Sequence, residues 1–533
     1  MDAGLVETAG AADGTAGAST GTTGGSAADT GDVADPPQVL AFEIVSVPEN
    51  PLAVRARVQA DRPVRVALDV RPVDAPSDAQ PGTVTVGTLA AEHDVPVVGL
   101  HADAAYTFEV TVEDEAGASA RAAADLVTAP LDPTLPPLAW SGASGEPGAW
   151  TFFNVMRWLG PAFDAGWGVV LGVDAAGHRV FVRFLERPGD VVWSGDGRFA
   201  VQTGTDGVVV MDATGATLAE YRAGELSPPI DTMHHEVVFL DEGAFATLST
   251  EMRTIGGYDD GQGGTVAYDV VGDVLVEFDA AGTTRWRLSL FDVLGDAVYR
   301  VRPGFHAPFW DPVYGATAPS GTTKDWTHGN AMVYDGDRVL VSLRTQDWIV
   351  AVDRATGELI HRIGPEGDFT LVEGTWFYHQ HAPEILPDGG LAVYDNGNTR
   401  PGTGGDGEPP RYSRMVVYDL DEQTMEASER FSHRADEGGY APFLGDVDLR
   451  PDGSFLVTDG GLVADPTLDF RLPENTKFAR ICEVQTDGTT RACLAVGGPA
   501  AGTSFSVYRA ERIEGGYGLA VSSAGRSTRR PRL

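Results

Sequence analysis

The 533-residue chain carries 77 acidic against 38 basic side chains, a formal net charge of −39. Such a balance argues against nucleic acid and anionic lipid as partners, because phosphate binding needs clustered Lys and Arg. No run of about 18 apolar residues occurs, so no helix is expected to span a membrane, while 66 Gly and 34 Pro imply many short strands and turns.

Residues 1–36 are Gly, Ala, Thr, Ser and Asp with almost no large apolar side chain. Such a segment cannot bury enough surface to offset its ordering entropy and reads as a disordered linker. The opening MDAGLVETAG lacks the basic and apolar parts of a signal peptide. The linker reads as an extracellular tether, so the expected location is periplasmic or extracellular, with an export or lipoprotein signal outside this sequence.

From 37 to 133 the pattern changes to short alternating runs, VLAFEIVSV, LAVRARVQA, VRVALDVRPV, TVTVGTL and YTFEVTVEDEAG. Turn residues separate them at intervals of about ten, the pattern of an immunoglobulin- or fibronectin-like β-sandwich acting as a spacer. DPTLPPL (132–138) is a stiff boundary.

The remainder, 140–525, is a repeat. An apolar strand ending in Asp, a turn and a second strand recur at Asp174, Asp212, Asp279, Asp353, Asp419 and Asp487. An acidic residue with Gly turns between two strands ahead of most copies, at Asp196-Gly197, Glu242-Gly243, Asp335-Gly336, Asp388-Gly389 and Asp452-Gly453. The first outer hairpin lacks an inner pair, and the last inner pair, near 512–522, lacks an outer hairpin. Joining the two closes a ring, which removes exposed sheet edges. The expected fold is all-β: a six-bladed β-propeller preceded by the sandwich, with a basic tail at 526–533.

Eight residues before each turn glycine stand Gly189, His235, His328, His381 and Gly445. Three consecutive blades thus place His at the start of the innermost strand, where a ring converges them on one axis. Donors surround them in sequence: Asn330 and Arg344 near His328, His379 and Asn396 near His381, His234 beside His235. Neutral and cationic donors, with an Arg that forks onto two oxygens, suit a tetrahedral oxyanion such as sulfate or phosphate. Three His could instead bind Zn²⁺ facially, but the Arg and the lack of a clear accompanying carboxylate weigh against it, so neither metal nor cofactor is expected. The segment 290–324, with Phe305, His306, Phe309, Trp310 and Tyr314, reads as an inter-blade insertion able to wall an aromatic pocket.

The two cysteines, Cys482 and Cys493, are symmetric about Asp487-Gly488, a two-residue hairpin signal. Counting outward puts them at a hydrogen-bonded pair with Cα atoms roughly 5.5 Å apart. That spacing admits a disulfide, and with it an oxidising compartment, as well as two reduced core thiols.

The stretches HHEVVFLDEG, DWTHGNAMVYDGDRVLVSLRTQ and QHAPEILPDGGLAVYDNG resemble the bacterial arylsulfate sulfotransferases. The likeness implies transfer of a sulfuryl group from a phenolic sulfate ester to a phenol acceptor, without a nucleotide donor, by a ping-pong route through a sulfohistidine. By motif match the nucleophile is His381, with His235, His328 and Arg344 on the sulfuryl oxygens and Asn330 as a helper; His234, Asn396 and His379 join the substrate-binding set. HAPEIL departs from the family in lacking an acidic residue near His381, which leaves the group that orients that imidazole open. Two other readings stand beside this one: a non-catalytic extracellular binding propeller, and an aryl sulfate hydrolase using the same site.

Overall fold

The computed structural model describes residues 35–514 apart from 74–81, 143–147, 406, 435–438 and 501, together with the pair 526–527. The linker expected at 1–36, all but its last two residues, most of the inner pair expected at 512–522 and the tail from 528 lie outside the described residues.

In the N-terminal unit, strands Val39–Val47, Asn50–Pro72, Gly82–Val97, Ala105–Glu113 and Ser119–Val127 hydrogen-bond in the order first, second, fourth, fifth, with the third also beside the second. Alternation along Asn50–Pro72 buries Val54, Ala56 and Val58, then Val64, Val66, Leu68 and Val70. Period two gives a strand one dry and one wet face. The register of this 23-residue strand breaks between Gln59 and Val64. Its first half pairs with Val39–Val47 and its second with Ala105–Glu113, so the strand passes from one layer to the other around Phe42, Val58, Leu68 and Phe108.

The second unit is a propeller. Four of its sheets are consecutive four-strand meanders whose first strands are Pro188–Trp193, His234–Phe239, Gly329–Asp335 and His381–Ile385. A fifth begins at Asp446–Leu449 and gains Leu138–Gly142 on its outer edge, against Thr490–Val496. The sixth combines Trp150–Leu159, Ala162–Asp174 and Arg179–Phe184 with Ala510–Glu514 from far along the chain, which pairs on its other side with Arg526–Ser527. All five acid-Gly turns expected from the sequence lie between the first and second strands of their sheets. Neighbouring sheets are glued face to face by apolar side chains, for example Leu275, Met332 and Trp348 between the second and third meanders. Tyr394, Met415, Val457 and Val484 do the same between the fourth and fifth sheets.

Two details differ from the expectation. In the shared sheet a strand not expected from the repeat, Trp150–Leu159, long and apolar, stands between Ala510–Glu514 and Ala162–Asp174. Cys482 and Cys493 do pair across the hairpin and form a disulfide, but with Cα atoms 4.1 Å apart. A register shift between Glu483 and Val484 changes the pairing parity, so the cysteines take a narrow, non-hydrogen-bonded position.

Closure is held by buried charge. Arg512 on the closing strand donates to Glu483 Oε1 at 2.6 Å, and Arg450 Nη1 donates to Glu483 Oε2 at 3.2 Å. All three residues are at most 4 % exposed. Removing one member of a buried ionic group leaves uncompensated charge. Glu483→Gln is therefore expected to lower unfolding free energy by on the order of 3 kcal/mol, read from the denaturant midpoint.

Candidate active site

The first strands do not run straight into the channel. Each of the four meanders breaks register at its start: between Pro188 and Val191, His234 and Val237, Gly329 and Ala331, and His381 and Glu384. Such bulges bend a strand and re-aim its side chains. His235 and His328 sit there in the left-handed backbone region, at φ 61° and 49°, as does Ala382 at 44°. The bulges differ in size, so the constant eight-residue offset does not mean one structural position. Relative to the last paired residue before the bulge, His328 is one before it, His381 is that residue, and His235 is one after. The rings still converge: those of His235 and His328 are 5.2 Å apart.

Each of the three has its Nδ1 occupied. His381, 2 % exposed, has Nδ1 at 2.6 Å from Asn396 Oδ1. Asn396 spends its amide hydrogens on the carbonyls of Ala441 and Leu444, at 2.7 and 2.8 Å. That fixes which end of the amide faces the ring: oxygen accepts, so His381 carries its proton on Nδ1. Nε2 is left with a lone pair and no hydrogen bond to any described residue. Burial drives the His381 pKa well below the usual imidazole range, the Arg344 charge adds to this, and the Asn396 hydrogen bond only partly opposes it. The orienting group left open by the sequence is thus a neutral amide.

His328 places Nδ1 2.6 Å from Asp325 Oδ2. Asp325 Oδ1 accepts from the Trp310 indole at 3.0 Å. A carboxylate therefore does accompany the histidines, three residues before one of them; the sequence DWTH contained it unrecognised. His235 Nδ1 faces His234 Nδ1 at 2.7 Å, and the His234 ring packs against Trp310, centroids 4.9 Å apart. Of the pair, His235 faces His328, while His234 is buried behind it. Burial, and then the charges of His234, His328, His381 and Arg509, hold the His235 pKa well below the ordinary value.

Arg344 follows the second strand of the His328 sheet, its backbone N–H bonded to the His328 carbonyl at 3.2 Å. Its guanidinium donates to the Pro442 carbonyl at 3.2 Å and pairs with no carboxylate among the described residues. Burial lowers its pKa, against the pull of Asp325, Tyr440 and Asp347, yet a guanidinium stays charged at any physiological pH. It is a cation held in the pocket with donor capacity to spare.

Two expected binders each have one polar group already engaged. Asn330 donates to the Gln380 carbonyl at 2.7 Å, tying two sheets together. His379 Nε2 bonds the Pro303 carbonyl at 3.1 Å, while its buried Nδ1 has no partner. The insertion does wall the site: Phe309, 45 % exposed, lies 4.5 Å from the His328 ring and 6.3 Å from that of His235.

Tyr508 and Arg509 were missed in the sequence. Tyr508 packs 5.8 Å from His235, and its hydroxyl donates to the Asn330 carbonyl at 2.9 Å. Arg509 bonds the same carbonyl at 2.6 Å and both Glu236 oxygens at 2.9 and 3.0 Å. The repeat offset falls one residue short of it: eight residues before the glycine of Glu514-Gly515 stands Val507, next to Tyr508.

The chain matches the family described as "Arylsulfotransferase (ASST)" over residues 168–492, and "Arylsulfotransferase Ig-like domain" over 47–129. No curated protein matches it. Among solved structures it is similar to Kuenenia stuttgartiensis hydrazine synthase at 13 % identity and TM-score 0.30, over 57 % of this chain and 64 % of that one. It is similar to BamB from Moraxella catarrhalis at 10 % identity and TM-score 0.26, over 87 % and 100 % of the two chains. AztD from Citrobacter koseri gives 12 % identity and TM-score 0.24 over 84 % and 97 %.

The Asn396 contact has a measurable consequence. With its folded pKa depressed, His381 stays neutral as pH falls through the usual imidazole range and protonates only below it. Asn396→Asp supplies a charge that favours the imidazolium, so the titration midpoint of this ring, followed by side-chain ¹⁵N NMR, is expected to rise by about one to two units.

Proposed function

Because the chain belongs to the arylsulfotransferase family, we propose that it moves a sulfuryl group from a phenolic sulfate ester to a phenol through a sulfated His381. The observation that carries this reading is the state of His381. It is a neutral imidazole with its proton fixed on Nδ1 and its Nε2 lone pair unclaimed, in a pocket shared with the uncommitted Arg344.

In the first half-reaction Nε2 attacks sulfur in line, an N–S bond forms, and the ester S–O bond breaks with its electron pair leaving on the phenolate. Arg344 neutralises the sulfuryl oxygens and holds them against rotation. His328 reaches the same oxygens or the leaving oxygen with Nε2 while Asp325 holds its other nitrogen. Phe309, open to solvent and tilted against two of the imidazoles, offers an aromatic face for the ring of donor or acceptor. In the second half-reaction an acceptor phenol displaces His381 from sulfur. Donor and acceptor are small molecules, and the chemistry calls for no cofactor.

No described helix is long and apolar enough to cross a membrane. The Cys482–Cys493 disulfide supports a periplasmic or extracellular location, because such bonds persist in oxidising compartments.

His381→Asn is expected to abolish release of phenol from a chromogenic aryl sulfate with the fold intact, and mass spectrometry of quenched wild-type protein to find a sulfated peptide containing residue 381. Retained turnover in the variant overturns the assignment. Phenol release that is the same with and without an added acceptor identifies a hydrolase instead. Arg344→Gln is expected to lower kcat by about 10²- to 10³-fold, as measured under saturating donor.

A further inference from the structure

Behind His235 lies a second, fully buried polar pair that the reaction as described above does not use. Asp273, in strand Thr265–Phe278, is 1 % exposed. One carboxylate oxygen, Oδ2, accepts from the Gly329 N–H at 2.6 Å and from the Thr327 hydroxyl. The other, Oδ1, lies 3.2 Å from His234 Nε2, and neither atom of that contact has a hydrogen-bond partner elsewhere. Burial works against charge on Asp273, but His234, Thr327 and the Gly329 N–H together hold its carboxyl below the usual range.

An ionised oxygen facing His234 Nε2 requires a proton on that nitrogen, since two lone pairs would otherwise meet in a buried space. For a neutral His234, Nδ1 is then the acceptor in its 2.7 Å contact with His235 Nδ1, and His235 is the donor. The logic continues through the ring: a neutral His235 with its proton on Nδ1 turns a bare Nε2 lone pair towards the pocket. The groups around that ring are His234 behind it, His328, His381 and Arg509 across the channel, and the aromatic rings of Tyr508 and Phe309. All of the charges among these oppose a resting imidazolium.

We propose that Asp273 and His234 are positioning residues that set the tautomer of His235, making it the base that takes the proton of the acceptor phenol. The proposal rests on the sulfohistidine reading. The phenol oxygen forms its bond to sulfur, the N–S bond to His381 breaks with its electron pair returning to Nε2, and the phenolic proton goes to His235 Nε2. His328, whose ring is 5.2 Å away, receives that proton and delivers it to the next leaving phenolate, so the cycle closes without net proton loss. His235 in this role accepts a hydrogen bond and does not donate one to the sulfuryl group.

The test separates the two half-reactions by rapid mixing, reading the phenol burst for the first and acceptor consumption for the second across phenols of graded acidity. Asp273→Asn keeps acceptors for Thr327 and Gly329 but presents an amide to His234, which reverses both tautomers; His234→Phe keeps the packing on Trp310 and removes the link. Each is expected to slow the second half-reaction about 10- to 100-fold with weakly acidic phenols, far less with nitrophenols already ionised at the assay pH, and more than it slows the burst. A loss equal across all phenols in a folded variant, or no loss, overturns the proposal, because a merely structural pair is blind to acceptor acidity. Absence of a burst in the wild-type protein overturns the sulfohistidine reading itself.

Discussion

The constraint on which this site depends is the burial of several imidazoles beside a guanidinium. A pocket of that kind cannot tolerate all of its groups as cations: burial holds the pKa values of His381 and His235 well below the usual range, and a neutral imidazole must choose which nitrogen keeps its proton. Each ring has that choice made by a neighbour at Nδ1: Asn396 for His381, Asp325 for His328, His234 for His235. The nature of each partner differs, and with it what the ring can do. A neutral amide holds Nδ1 of His381 and leaves its Nε2 lone pair unclaimed, whereas a carboxylate stands behind His328.

The fold serves that arrangement by combining regularity with local breaks. Meander sheets bring four strand starts to one end of a channel, and turn chemistry at the acid-Gly pairs sets their length. The bulges at those starts then offset the three histidines from one another, and the rings of His235 and His328 meet edge to face. A perfectly regular propeller would have presented the same side chains with less variety of direction.

Much of this was legible in the sequence, because it is carried by short-range chemistry. The Asp-turn and acid-Gly motifs announce hairpins directly, and a fixed offset from the turn singles out His235, His328 and His381. What was hidden is long-range. That Asn396 faces His381 follows from the pairing of strands His381–Ile385 and Leu391–Asp395 with a bulge between, and no periodicity reports a bulge. Asp273 meets His234 only because strand Lys324–Asp325 adds beside Thr265–Phe278 and brings Thr327 and Gly329 against the same carboxylate. The parity of the cysteine pair failed for the same reason, a single extra residue in one strand. Likewise, that Asn330 donates to the Gln380 carbonyl across two sheets is a long-range contact that the sequence does not report.

The closure of the ring by a strand from far along the chain carries a consequence for biosynthesis. Tyr508 and Arg509 stand immediately before the closing strand Ala510–Glu514, and both bond the Asn330 carbonyl. The histidines, by contrast, are all made more than a hundred residues earlier. A chain emerging from the ribosome therefore carries His235, His328 and His381 long before Tyr508 and Arg509 can take their places beside them. Order of assembly is written into topology: the surroundings of the histidines are complete only once a strand made late in synthesis has docked against one made early.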